Sequence, residues 1–253
     1  MVAISNRGSK RWIYYIRKIK TEIQSPKSKE SSSNRREQSL LKQQKIVVYF
    51  DGLCQPYNPG GIACYAFIIK RYDNGGVGRQ QHQQQQQQII HSEYGLAAEP
   101  FRNEASNNVA EYTAIIKALE WLLLNYDNNE FVNNKTIIIK GDSQLAIYQI
   151  TGKYKVKAAR IIPLHQKVIS LISKFKDIHV EWIPSEKNEE ADRLSNKAYQ
   201  EVLENNPALH QKISQYMATE KQLKLLRSLG IEPEKYISKI EANKLISKIK
   251  SNY

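Results

Sequence analysis

The sequence predicts an α/β fold: a mixed five-stranded sheet, three antiparallel strands followed by alternating β and α elements, flanked by helices. Three observations carry this prediction. β-rich runs joined by turn chemistry open the central part of the chain, the apolar period changes from strand-like to helical at Val109, and strands and helices alternate from there onward.

Ile46 to Phe50 is a continuous apolar run of the kind a central strand needs. Asn58-Pro59-Gly60-Gly61 is a turn, leading into a second strand from Ile62 to Lys70. Residues 73–88 run from glycines into glutamines and read as a low-complexity surface loop outside the fold. Ile89 to Leu96 is the third strand of a meander. Val109, Tyr112, Ile115, Ile116, Leu119, Leu122 and Leu123 then recur at helical spacing, which predicts an amphipathic helix starting after Asn107-Asn108. Thr136 to Ile139 is a strand, Ser143 to Ile150 a short helix, Arg160 to Phe175 a longer helix, Ile178 to Ile183 the fifth strand, and Asn188 to Glu204 a closing helix. The order is βββαβααβα.

Charge divides the 253 residues into three parts. Residues 1–45 carry 12 Lys/Arg against 3 acids, residues 205–253 carry 9 against 4, and the stretch between them is nearly neutral at 17 against 18. Basic appendages around a neutral centre suit tethering to a polyanion, nucleic acid before membrane surface; solvated tails are the plainer alternative. Residues 1–44 form a basic extension, 45–204 the expected catalytic domain, and 205–253 a small helical module. Residues 21–44 are polar and nearly free of apolar side chains, as a disordered linker would be. Two cysteines, Cys54 and Cys64, give no disulfide framework, and no apolar run reaches the length of a membrane span. These features predict a soluble cytoplasmic protein, although an acid-poor N-terminus also resembles an organelle transit peptide.

Four acids stand where regular elements begin or end. Asp51 follows the first strand, Glu111 lies one turn before Ile115 on the apolar side of its helix, Asp142 follows the fourth strand, and Asp192 lies in the first turn of the closing helix. Each has an ordinary explanation: a turn-initiating Asp before Gly52, a helix N-terminus capped by Asn108 for Glu111, an N-cap at Asp142, a solvated flank for Asp192. Together, two strand ends and two helix first turns can converge on one point of a mixed sheet. Such a cluster needs a counter-charge to stay ionised. With no His/Cys ligand spacing present, the counter-charge of choice is a pair of hard, oxygen-seeking cations, Mg²⁺ or Mn²⁺.

At these residues the sequence resembles the type 1 ribonuclease H family. The segments YFDGLCQPYNPGGIACYAF, NNVAEYTAIIKAL, GDSQLAIYQITGKY and EWIPSEKNEEADRLSNKA occur in family order and cover about residues 45 to 200. The resemblance implies the ribonuclease H-like fold and two-metal hydrolysis of the RNA strand of RNA/DNA hybrids, leaving 5′-phosphate and 3′-hydroxyl ends. It assigns Asp51, Glu111, Asp142 and Asp192 as catalytic metal ligands. It also implies substrate contacts at Cys54, Asn58, Asn107, Asn108 and Gln144, short groups that can read 2′-hydroxyls and minor-groove edges, and a phosphate contact at Ser106. A catalytically silent binding module of the same fold is the alternative reading.

The chain departs from the longer bacterial pattern at two places. The loop before the last acid reads Pro184-Ser185-Glu186-Lys187 and lacks the family's His, and only Lys153, Lys155, Lys157 and Arg160 stand where those members carry a basic protruding helix. The shorter form resembles archaeal members, some of which also accept double-stranded RNA. Beyond residue 204, Thr219 with Gln222 and Ser238 with Glu241 are two capping boxes that predict a pair of short helices, the first ended by Gly230. The N-terminal KRWIYYIRKIK interleaves aromatics with bases, as in stacking plus phosphate contact.

Overall fold

The computed structural model describes residues 45–73, 86–125 and 135–250. The described residues belong to one compact unit. The expectations for residues 1–44, and for most of the low-complexity segment, lie outside the described residues.

β1 (Lys45–Gln55) is the central strand. It pairs antiparallel with β2 (Ile62–Asp73) and parallel with β4 (Thr136–Gly141); β3 (Gln86–Leu96) runs antiparallel beside β2 and β5 (Ile178–Trp182) parallel beside β4. The sheet order β3-β2-β1-β4-β5 is the mixed five-stranded arrangement expected from the sequence. The helices are α1 (Asn107–Asn125), α2 (Gln144–Ile150), α3 (Ile162–Ile172), α4 (Glu189–Asn205), α5 (Pro207–Ile213), α6 (Glu220–Ser228) and α7 (Lys239–Lys250).

Successive side chains of a strand point to opposite faces, and β1 uses both. Ile46, Val48 and Phe50 join Tyr112, Ile115, Leu119 and Leu122 of α1 in the main core. On the other face Leu53 joins Ile62, Cys64 and the α4 residues Ala198, Tyr199 and Leu203. The C-terminal helices continue this second layer: Ile213 is buried in it, and Met217 and Tyr236 pack against it. Leu226, Ile237, Ala242 and Ile246 give α6 and α7 a small core of their own.

Several boundaries differ from the sequence expectation. β1 runs on through Asp51 and Gly52 to Gln55, because β2 supplies partners all the way to Ile62; an Asp-Gly pair that locally favours a turn is overridden by pairing. The end of the glutamine run is not loop: Gln86, Gln87 and Gln88 pair with Asp73, Tyr72 and Arg71, and Gln88 accepts a 2.6 Å hydrogen bond from Arg71. α1 starts at Asn107, with Ser106 Oγ accepting from Val109 N at 3.4 Å, so Ser106 rather than Asn108 does the capping. α5 was not anticipated as a separate helix; Pro207 at its first turn restarts the chain after Asn205. The Thr219–Gln222 capping box closes reciprocally; of the Ser238–Glu241 box, the half in which Glu241 N donates to Ser238 Oγ at 3.1 Å forms. Gly230 takes the left-handed φ of 79° that ends α6.

Candidate active site

The parallel register of β1 and β4 pairs Tyr49 with Lys140. Carried two residues further, it sets Asp51 opposite Asp142 at the carboxyl ends of both strands, where open α/β sheets bind ligands. Asp51 is therefore a strand residue, not a turn residue, and it is 7% exposed. Its Oδ2 accepts a short hydrogen bond from Ser195 Oγ, one turn along α4 from Asp192.

Glu111 reaches the same place through a missing side chain. A Cβ built on Gly52 would stand 2.3 Å from the Glu111 backbone nitrogen and 2.6 Å from the carbonyl carbon of Ala110. Only glycine lets α1 lie that close to β1. Gly141 does comparable work at the end of β4, where a Cβ would meet the Phe50 ring at 2.4 Å.

Asp142 is not the cap of α2. That role falls to Ser143, whose side chain accepts from Ala146 N, and the Asp142 carboxylate is left to two other donors. Asn188 Nδ2 donates to its Oδ1 at 2.8 Å and Ser185 Oγ to its Oδ2 at 2.7 Å. Asn188 is 1% exposed and also donates to the Phe50 carbonyl at 2.9 Å, so one amide ties β1 to the residue that follows β4. Asn188 stands at the N-cap position of α4 without a capping hydrogen bond: its Nδ2 is turned to Phe50 and Asp142, and its Oδ1, the atom a cap would use, is buried without a partner. Asp192 is exposed on the cleft, in the first turn of α4.

One cleft of about 630 Å³ is lined by all four acids, and by Cys54, Asn58 and Asn107 from the expected substrate contacts. Ser106, Asn108 and Gln144 are not among its lining residues. Asn58 is partly engaged, its Oδ1 accepting from Asn107 N at 3.1 Å. The Cys54 thiol is buried and points back at the Tyr57 and Ala105 carbonyls, at 3.3 and 3.4 Å. Lys153, Lys155, Lys157 and Arg160 are exposed. Gly52, Ser195 and Asn188 are the functional positions that sequence reasoning missed.

The electrostatics follow from crowding acids together. Burial, then repulsion from Asp192 and Asp142, pushes Asp51 up to about 7, against relief from Ser195. Glu111 is raised well above the ordinary carboxylate range by burial, then by Asp51 and Asp142. Asp192 is raised by the protein atoms that flank it, then by Asp142, Glu234 and Glu241. Glu111 Oε2 is buried without a hydrogen-bond partner, and Lys244 is the one basic side chain among the described residues of the cleft. An all-oxygen donor set with mutual repulsion and an orphaned oxygen fits hard divalent cations. As they stand, no three His, Cys, Asp or Glu side chains among the described residues are gathered tightly enough to hold an ion. Among those residues, too, no helix is long and apolar enough to cross a membrane.

A mixed sheet of this order, with carboxylates gathered at the ends of β1 and β4, defines the ribonuclease H class of folds, and comparison with known proteins bears this out. The family described as Reverse transcriptase-like matches residues 91–198. A Ribonuclease HI from Halobacterium salinarum is 30% identical over 147 residues, covering 57% of this chain and 67% of that protein. The Bifunctional protein Rv2228c of Mycobacterium tuberculosis is 35% identical over 94 residues, 37% of this chain; the chain spans 24% of the length of that relative and of the two others first matched. Among solved structures, LC11-RNase H1, isolated from compost, superposes with a TM-score of 0.50 at 27% identity, covering 63% of this chain and 98% of that one. The chain belongs to the ribonuclease H family.

Proposed function

We propose that this chain is an endoribonuclease that hydrolyses the RNA strand of RNA/DNA hybrids, using two Mg²⁺ or Mn²⁺ ions and leaving 5′-phosphate and 3′-hydroxyl ends. The observation that carries the reading is one cleft lined by Asp51, Glu111, Asp142 and Asp192 at the strand and helix ends, two of them buried and raised in pKa by burial and then by neighbouring acids. Divalent ions held there would polarise a phosphodiester and acidify water.

The chain's own residues prepare the site for that chemistry. Ser195 fixes Asp51, while Asn188 and Ser185 fix both oxygens of Asp142; orienting bonds of this kind typically matter about 10- to 100-fold in metal affinity or activity. Asn58 and Asn107 stand on the cleft beside the acids, placed to meet 2′-hydroxyls, which double-stranded DNA lacks. Cys54, Ser106, Asn108 and Gln144 are assigned to substrate by the family resemblance alone, and double-stranded RNA, which carries the same hydroxyls as the RNA strand of the hybrid, is a second substrate. The test is direct. Labelled RNA/DNA, RNA/RNA and DNA/DNA duplexes are incubated with the protein in Mg²⁺ or Mn²⁺. Cutting of the RNA strand of the hybrid, with DNA/DNA intact, supports the reading; binding without cutting, or cutting of DNA/DNA alone, overturns it.

A further inference from the structure

The catalytic cleft has a second wall that the acids do not explain. Besides the acids it is lined by residues between Glu232 and Leu245, from the connection between α6 and α7 and the first half of α7. This part of the chain follows the ribonuclease H domain proper.

Its charge is wrong for a duplex. The segment presents Glu232, Glu234 and Glu241 against Lys244, and two of those acids already repel Asp192. A phosphate strand entering from this side meets negative charge.

The wall is seated by contacts that can separate. Gln200 of α4 donates to Glu234, Lys235 Nζ lies 2.7 Å from Glu204, and Tyr236 adds an apolar contact, packing against the layer that β2 and α4 share. Both polar contacts are exposed, and exposed pairs hold weakly. Meanwhile Leu226, Ile237, Ala242 and Ile246 keep α6 and α7 packed on each other, so the pair can move as a body without unpicking its own core.

We propose that α6, α7 and the Glu232–Ser238 segment form a retractable wall that selects substrates: seated, it excludes duplex, and a duplex reaches the carboxylates only after the wall draws away from α4. The proposal rests on the nuclease reading above. It predicts that the apparent affinity for duplex is reduced by the fraction of molecules with the wall seated.

The experiment uses the full chain. Gln200→Cys with Glu234→Cys allows the seated wall to be tethered by a bis-maleimide linker containing a disulfide, then released by reductant; Cys54 and Cys64 are buried, and mass measurement of the linked protein checks that they stay unmodified. The tethered protein is expected to lose about tenfold or more in kcat/KM on RNA/DNA hybrid, through KM, and to recover it on reduction. Conversely, Gln200→Glu with Lys235→Glu sets like charges at both polar anchors and is expected to lower KM several-fold with kcat unchanged. Tethering that leaves kcat/KM unchanged overturns the wall, whatever the charge variant does. If no form of the protein cuts any duplex, the nuclease reading fails and takes the wall with it.

Discussion

The four carboxylates fall into two pairs built by different means. Asp51 and Glu111 are buried, placed by backbone proximity across Gly52, and raised in pKa. Asp142 and Asp192 face the cleft, and Asp142 is held by side-chain hydrogen bonds from Asn188 and Ser185. The first pair depends on how close two elements can pack and the second on which donors surround it. Damage to the first should therefore spread into the fold, whereas damage to the second should stay in the chemistry.

The largest effect expected is on the open pair. Asp142→Asn keeps shape and removes a ligand charge; cleavage should fall by at least about 10²-fold while hybrid binding, read by fluorescence anisotropy, survives. Retention of more than a few per cent of activity at saturating Mg²⁺ would take Asp142 out of the metal site.

Gly52→Ala tests the buried pair. The new methyl meets backbone, which cannot rotate aside, so the variant should lose about 3 kcal/mol and most of its activity together. Gly141→Ala meets a side chain, the Phe50 ring, and should cost about 1 to 2 kcal/mol. Denaturant unfolding of both proteins orders them; equal costs would mean that the approach of α1 to β1 is not what places Glu111.

Smaller changes sharpen the second half of the comparison. Asn188→Ala removes a buried amide that serves both Asp142 and the Phe50 carbonyl, and should lower kcat about 10- to 100-fold with about 1 to 3 kcal/mol of stability. Ser185→Ala should cost only a few-fold in kcat, since Asn188 still holds the other oxygen. Ser185→His, a swap toward the residue that longer relatives carry here, loses the hydroxyl that orients Asp142; steady-state kinetics in Mg²⁺ show whether orientation or proton transfer matters more, and a gain in turnover would favour the latter.

The gentlest test is of pH. Asp51, at about 7, and Glu111 bind protons in the folded state that the unfolded chain releases near its ordinary carboxylate range. Without divalent cations, the stability these two groups contribute is full below about pH 4 and is lost as pH rises through about 7. Mg²⁺ or Mn²⁺, which want ionised ligands, should oppose that loss. Thermal unfolding across this window should show a falling Tm in chelator, a flatter curve with Mn²⁺, and a flatter curve for Asp51→Asn in chelator. A wild-type Tm constant with pH in chelator would contradict the burial argument.

The architecture was legible because periodicity reports burial directly: the apolar run at Ile46, the helical stripe from Val109 and the later alternation each map onto an element of the sheet or its helices. The acids were legible as a set because their positions at element ends converge. What stayed hidden depended on contacts between distant residues. Nothing near Gly52 announces that α1 lies against it, and Asn188 looks like a helix cap until Phe50 and Asp142 are seen to claim its amide. Ser195 sits among ordinary helix residues and is marked only by facing Asp51. The strand continuing through Asp51 was hidden for the opposite reason, a strong local turn signal overruled by pairing with β2.

The glutamine tract gains a different meaning once Gln86 to Gln88 are seen inside β3. Because neighbouring tract members are chemically identical, a gain or loss of glutamine replaces one strand partner of Arg71 and Tyr72 with another just like it, and only the number of residues joining β2 to β3 changes. Each doubling of such a connection costs only about 0.6 kcal/mol in closure entropy. The hairpin is thus indifferent to copy number, and variation in tract length can accumulate there with little consequence for the carboxylates, which stand on other elements: β1, α1, the end of β4 and α4.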